Sequence, residues 1–201
     1  MFSSRGSSST TTSTPSRRRA SGTSRATSSA NGVAKTGDHD WAVGGGSGSH
    51  PRVLRAVASG AVLRGARMPG ADLYRAHLEA AVLDEADLTG ASLVKAELDG
   101  ASLRGARLDG ADFGSVEMYD VDAREASLDA VDLRGADLSD ASVAQTFMQV
   151  VLDDRTVVDG LTGTVFGPAV VVDAEGRREL SGADLESWLN SKGAKVRVLS
   201  S

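Results

Sequence analysis

One five-residue phrase returns without a gap through the middle of the chain. From Ala56 to Arg155 the sequence reads in fives as AVASG, AVLRG, ARMPG, ADLYR, AHLEA, AVLDE, ADLTG, ASLVK, AELDG, ASLRG and ARLDG. It continues as ADFGS, VEMYD, VDARE, ASLDA, VDLRG, ADLSD, ASVAQ, TFMQV and VLDDR, twenty phrases in one frame. Fifteen open with Ala and twelve carry Leu at the third place. A fixed period constrains the fold more tightly than composition does, because every repeat must offer the same face to its neighbours. An α-helix advances about 100° per residue, so five residues leave a net rotation of about 140°, and the Ala/Leu stripe would circle the helix. A flat strand alternates faces with period two, so an odd period turns every second phrase inside out. The pattern is self-consistent if the chain turns a corner once per phrase. Places one and three then point inward, and places two, four and five point outward. Four corners close a square coil of twenty residues, and coils stack at the ordinary strand spacing of roughly 4.8 Å.

These phrases resemble the pentapeptide-repeat protein family, whose pattern is Ala-Asp/Asn-Leu-x-x. The resemblance covers about half the chain and implies a right-handed quadrilateral β-helix. The expected fold is an all-β solenoid: a right-handed quadrilateral parallel β-helix of about five coils with a small C-terminal β/α cap. Three segments follow: a tail over residues 1–50, the repeat body over 51–156, and the cap over 157–201.

The tail is Ser/Thr/Arg/Gly-rich and almost free of large apolar residues before Trp41, so it is expected to be disordered. Its first acid is Asp38, whereas Arg5, Arg17, Arg18, Arg19, Arg25 and Lys35 are basic. An Arg-rich, Ser-rich, acid-poor start resembles an organellar transit peptide, which would place the protein in the chloroplast stroma. The competing reading is a solvated linker on a bacterial cytoplasmic protein. Gly44 to Ser49 is a flexible Gly/Ser stretch. The chain contains no Cys, which excludes disulfides, thiolate metal sites and a thiol nucleophile. It has no apolar run of membrane-spanning length.

Departures from the phrase are informative. Val replaces the opening Ala at Val116, Val121, Val131 and Val151, and Ala123 compensates for Val121. Phe113 and Met118 are bulky centres, expected to be repacked core rather than a contact patch. Beyond Arg155, Val157 and Val158 are expected to close the last coil, and Gly160 to Gly167 is turn-rich. Ala169 to Val172 and Arg177 to Leu180 read as a hairpin. Ser181 reads as an N-cap with Asp184 completing a capping box, and Gly193 as a helix stop. Leu185, Trp188 and Leu189 line one helix face, either sealing the solenoid end or meeting a second copy.

Net charge is −5 overall, but the repeat body carries −8. Every fourth phrase falls on one wall. One wall collects Glu79, Glu97, Asp99, Glu117, Asp120, Asp137 and Asp140 with no Lys or Arg, while the other three mix both signs. Stacked carboxylates repel one another, which disfavours ionisation and costs stability, so this wall is the candidate functional face. The three histidines are His39, His50 and His77, and none is paired with a nucleophile in the sequence. Fifth-place glycines serve turning rather than phosphate binding. The expected function is a non-catalytic scaffold without cofactor or metal, presenting a rigid acidic face to a protein partner. It would act as a monomer or as a homodimer through an end cap, without direct contact to nucleic acid or membrane. The resemblance supplies an alternative. Some family members linked to quinolone resistance look like DNA rods and occupy the DNA-binding saddle of DNA gyrase. The acidic face would then mimic DNA toward gyrase or another topoisomerase.

Overall fold

The fold follows from what happens at the fifth place of each phrase. In every phrase from Gly60 to Gln145 that residue has φ between 54° and 68°. A left-handed residue there, closed by a hydrogen bond from the next opening N–H to the third-place carbonyl (Ala66 N to Leu63 O, 3.0 Å), turns the chain through one corner of the coil, as the third residue of a type II turn does. Glycine fills only part of these corners. Arg75, Glu85, Lys95, Ser115, Asp120 and Gln145 adopt the same angle, at a cost of about 1–2 kcal/mol each, which the neighbouring coils must hold in place.

The structure is a computed structural model and describes residues 33–35, 41–43 and 57–199. Second-place residues form parallel bridges twenty positions apart, as in Val57↔His77↔Glu97↔Glu117↔Asp137↔Val157. Equivalent ladders run on the other three sides, from Val62, Arg67 and Asp72. Each wall of the coil is therefore a narrow parallel sheet, one residue wide for most of its height. Among the described residues, the opening and third places are buried from Leu63 to Leu138, with Leu83, Leu93, Leu103 and Leu108 fully enclosed. Phe113 and Met118 lie inside with them, so the pair is core and not a contact patch.

The backbone accounting explains the Asp at the second place. N–H groups of places one, two, three and five are taken by the turn and by adjacent coils. The fourth N–H is left over. A second-place Asp accepts it in Asp112 (Gly114 N, 2.9 Å), Asp132 (Arg134 N, 3.0 Å) and Asp137 (Ser139 N, 2.9 Å), the local bond that makes Asp a turn residue.

The frame changes near the C-terminal end. Phe147 still bridges Ser127, but Val131 pairs with Val150 and Asp132 with Val151. The phrase after Phe147 is thus one residue short. Val150, not Val151, takes the opening place and is buried, while Val151 points outward. The next phrase restores the count with one extra residue, since Asp137 bridges Val157. Asp153 ties this irregularity together, accepting from Gly135 N, Arg155 N and Thr156 N at 2.9–3.1 Å. Thr156 sits at an opening place and donates its hydroxyl to Leu133 O at 3.0 Å, which satisfies a polar atom inside the coil. Thr146 does the same toward Ala123 O at 2.9 Å.

Strands β1 (Val33–Lys35) and β2 (Trp41–Val43) pair antiparallel within the segment read as a disordered tail; the rest of that reading lies outside the described residues. In the body and cap the strands are β3 (Val131–Asp132), β4 (Ser142–Phe147), β5 (Val150–Asp153), β6 (Thr162–Phe166), β7 (Ala169–Asp173), β8 (Gly176–Leu180) and β9 (Lys195–Leu199), with helix α1 (Gly182–Ser191) before β9. One wall ends as β3-β5-β7-β8 and another as β4-β6-β9. All neighbours in these sheets are parallel except β7 and β8, which form a hairpin. The turn-rich stretch after Gly160 is therefore mostly strand: β6 continues the ladder from Ser142↔Thr162 to Phe147↔Phe166. The terminal segment adds rungs to two walls instead of standing apart from them.

Ser181 is the N-cap of helix α1, but the expected capping-box side-chain bond is absent; Asp184 N and Leu185 N reach the Ser181 carbonyl instead. At its other end Gly193, with φ 95°, and Ala194 donate to Asn190 O and Leu189 O, the paired bonds of a Schellman stop. Leu185 and Leu189 are buried against the chain's own core, so neither is free to meet a second copy. Trp188 is half-buried, with Lys192 Nζ 4.9 Å above its ring. Among the described residues no helix is long and apolar enough to cross a membrane.

Candidate acidic interface

The seven acids singled out by the sequence lie on one side, in two rows. Glu97, Glu117 and Asp137 are consecutive rungs at the second place of a single ladder. Glu79 and Asp99 occupy the fourth place of the phrases that hold His77 and Glu97, and their carbonyls accept from Gly60 N and Ala80 N. Asp120 and Asp140 sit at left-handed fifth-place corners. The first row is on the flat wall and the other four acids line the corner beside it.

The carboxylates differ in what they do. Asp99 Oδ1 accepts Tyr119 N at 2.9 Å, and Asp137 Oδ1 accepts Ser139 N, so both serve the backbone. Glu117, Asp120 and Asp140 are exposed. Glu79 and Glu97 flank His77: Nδ1 is 2.9 Å from Glu97 Oε2 and 3.4 Å from Glu79 Oε1. Ser59 Oγ donates to Glu79 Oε2 at 2.6 Å. Among the described residues no lysine or arginine makes an ion pair with any of the seven. On the other walls several acids are paired with arginine. Arg64 meets Asp84, Arg124 meets Asp122 and Arg134 meets Asp132, each at 2.5 Å, and Arg155 meets Asp153 at 2.9 Å. A cleft of about 330 Å³ on one of those walls is lined by Asp112, Asp132, Arg134 and Arg155 and involves none of the seven.

A five-residue ladder of this kind is what the family model for pentapeptide repeats describes, and that model matches in eight copies over residues 54–79, 81–118 and 117–149. Residues 54–149 of the chain are pentapeptide repeats. Proteins of this family form right-handed β-helices and are in general non-enzymatic scaffolds. Similar solved structures include the pentapeptide repeat protein Rfr23 from the cyanobacterium Cyanothece 51142. It is 24% identical, with 51% of this chain and 63% of that one covered and a TM-score of 0.32. A pentapeptide repeat protein from the Arabidopsis thaliana thylakoid lumen is 24% identical over 45% of this chain and 63% of that one, TM-score 0.28. QnrB1, a plasmid-mediated fluoroquinolone resistance protein, is 16% identical over 73% and 78%, TM-score 0.27. The chain thus spans 63% of the length of the first two. A comparison with curated proteins finds no match.

In this pentapeptide-repeat protein the crowding of acids does not act as the sequence suggested at Glu79. Burial pushes that carboxyl up, but the Ser59 hydroxyl, the Glu79 backbone N–H and the side chains of Glu97 and His77 outweigh it and hold the group below its ordinary value. The Glu97 carboxylate, followed by Glu79, raises the His77 imidazole above its ordinary 6.5. His77 is therefore not a lone side chain. Glu79 lies two residues away in the same phrase, whereas Glu97 lies twenty residues away and meets His77 only because the coil closes.

A raised folded pKa means that His77 stabilises the fold fully below its unfolded pKa, and that this contribution disappears as pH rises through the folded value. An imidazole titration by NMR should place His77 above 6.5, and Glu97→Gln should return it toward 6.5. Asp87, Asp122 and Asp132 shift the other way. Thr89, Arg124 and Arg134 respectively hold them below the usual carboxylate value, so their stabilisation is present above the unfolded pKa and is lost as pH falls through the folded one.

Proposed function

We propose that the protein is a non-catalytic scaffold whose acidic face docks a cationic surface of a protein partner. One observation carries this reading: seven carboxylates in two rows, without a lysine or arginine partner among the described residues, on a wall whose backbone is fixed by its ladder. Several acids on the other walls are neutralised locally by arginine, whereas among these seven Glu117, Asp120 and Asp140 stand open to solvent. A pre-formed charge row loses little freedom on binding and steers an oppositely charged surface toward it.

The spacing favours DNA mimicry as a second reading. Rungs roughly 4.8 Å apart carry about two acids each, or about one charge per 2–3 Å. Duplex DNA presents roughly one per 1.7 Å of axis, or one per 3.4 Å along a single strand. A protein surface shaped to hold DNA, such as that of DNA gyrase, is the partner this density suits.

The first test uses a lysine-rich peptide at low salt. Glu97→Lys/Glu117→Lys/Asp137→Lys should weaken its binding by roughly tenfold or more. A control triple on other walls, Glu85→Lys/Glu125→Lys/Asp129→Lys, should weaken it much less. Equal losses would reject a dedicated face. DNA supercoiling by gyrase then separates the two readings: mimicry predicts an effect of the wild-type protein that the first triple variant lacks, and a scaffold for another partner predicts none.

A further inference from the structure

We propose that His77, Glu79 and Glu97 form a binding site for one divalent transition-metal ion, with Zn²⁺ the best-suited occupant. The site goes beyond the docking reading and does not depend on it.

The donor atoms already converge. His77 Nδ1, one oxygen of Glu79 and one of Glu97 all lie within 4.8 Å of one another. Two of the three separations are 2.9 and 3.4 Å. Donors bound at about 2.0–2.1 Å around tetrahedral zinc lie roughly 3.3 Å apart. An ion can therefore enter with small side-chain rotations and no movement of the main chain.

The main chain is already fixed. His77 and Glu79 share one phrase, and Glu97 is the bridge partner of His77 on the next coil. Leu78 N donates to Glu97 O at 2.8 Å and Glu97 N to Ala76 O at 2.9 Å, one on each side of that bridge. The ordering that a loop-borne site must supply on binding is present beforehand. Ser59 adds the outer support that metal ligands commonly have. Its hydroxyl holds Glu79 Oε2 and leaves Oε1 turned toward His77.

Donor chemistry narrows the ion. An imidazole nitrogen with two carboxylates suits zinc and its first-row neighbours, whereas Ca²⁺ and Mg²⁺ favour all-oxygen sets with more ligands. Two glutamates neutralise a dication, and among the described residues neither pairs with a lysine or arginine that would have to be displaced. All three side chains are between one-third and one-half exposed, so the remaining coordination position opens to solvent, where water or a partner's side chain can complete it.

Titration of the full chain with Co²⁺ as an optical probe, followed by displacement with Zn²⁺, tests the site. One equivalent should bind and give the visible absorption of low-symmetry cobalt. His77→Ala should weaken Zn²⁺ binding by at least a hundredfold, measured against a chromophoric chelator. Glu79→Gln and Glu97→Gln, which keep the side-chain shape, should each weaken it by more than tenfold, and Ser59→Ala by roughly tenfold. The double variant His39→Ala/His50→Ala should bind as the wild type does, since those histidines lie in the tail. The proposal is overturned if no stoichiometric ion binds, if His77→Ala binds as tightly as the wild type while circular dichroism shows it folded, or if removing the tail histidines abolishes binding.

Discussion

Phe113→Ala is expected to cost about 3–5 kcal/mol of stability, among the largest losses any single truncation in this protein should produce. Phe113 is fully enclosed at the third place of its phrase, where neighbouring phrases carry Leu or Met. Its ring fills an interior that stacked coils close above and below. The coils are in contact only with their neighbours, so relaxation into the void is limited to the phrases at 91–95 and 131–135. Denaturant unfolding would measure the loss, and hydrogen exchange would place the loosening in those two adjacent coils. Tyr119→Ala is the comparison. Tyr119 is 50% exposed on the acidic side, and its removal should cost less than about 1 kcal/mol. Similar losses for the two would mean that the third place does not point inward.

Gly163→Ala is expected to be nearly as damaging, for a different reason. Gly163 lies in β6 opposite Val143, with φ 126°. A Cβ added there would sit 2.3 Å from the Val143 carbonyl oxygen and 2.6 Å from its carbon. Both are main-chain atoms of the next rung, so relief requires separating β4 from β6 where the ladder already carries its irregularity between Ala144 and Thr146. A loss of about 2–4 kcal/mol follows. Gly100→Ala provides the contrast. Gly100 also has positive φ, but a Cβ there meets nothing within 4 Å, and ten non-glycine residues hold the same corner elsewhere. Its expected cost is about 1 kcal/mol. Thermal unfolding of the two variants side by side separates steric exclusion from backbone preference. Equal shifts would deny the close approach of β6 to β4.

The coil was legible because five does not fit a helix or a flat strand, and Ala66, Leu73 and Leu83 are inside where the period put them. The order of hairpin, helix and final strand was legible from Val170, Ser181 and Gly193, since each marks a local preference. What escaped were contacts that depend on the stacking itself. The missing residue after Phe147 has no local signature, because TFMQV keeps five letters while its bridge partners shift by one. The turn-like Thr162–Gly163 pair becomes strand because β4 lies beside it ready to pair. In the candidate face, the common side of the seven acids followed from counting by twenty. Their inequality did not. Asp99 and Asp137 serve backbone N–H groups, while Glu79 and Glu97 converge on His77. A charge count cannot tell a carboxylate engaged by an amide from one open to solvent.

Cysteine pairs give the most direct measurement, since the natural chain has none. Bridged rungs stand roughly 4.8 Å apart, within the 4.4–6.8 Å Cα separation that a disulfide spans. Under mild oxidation Glu97→Cys/Glu117→Cys should close an intramolecular disulfide in the folded protein, and Glu97→Cys/Ser127→Cys, whose second residue lies on a different wall, should not. A disulfide in the second pair and free thiols in the first would contradict the twenty-residue coil, and with it the acidic face and the meeting of His77 with Glu97.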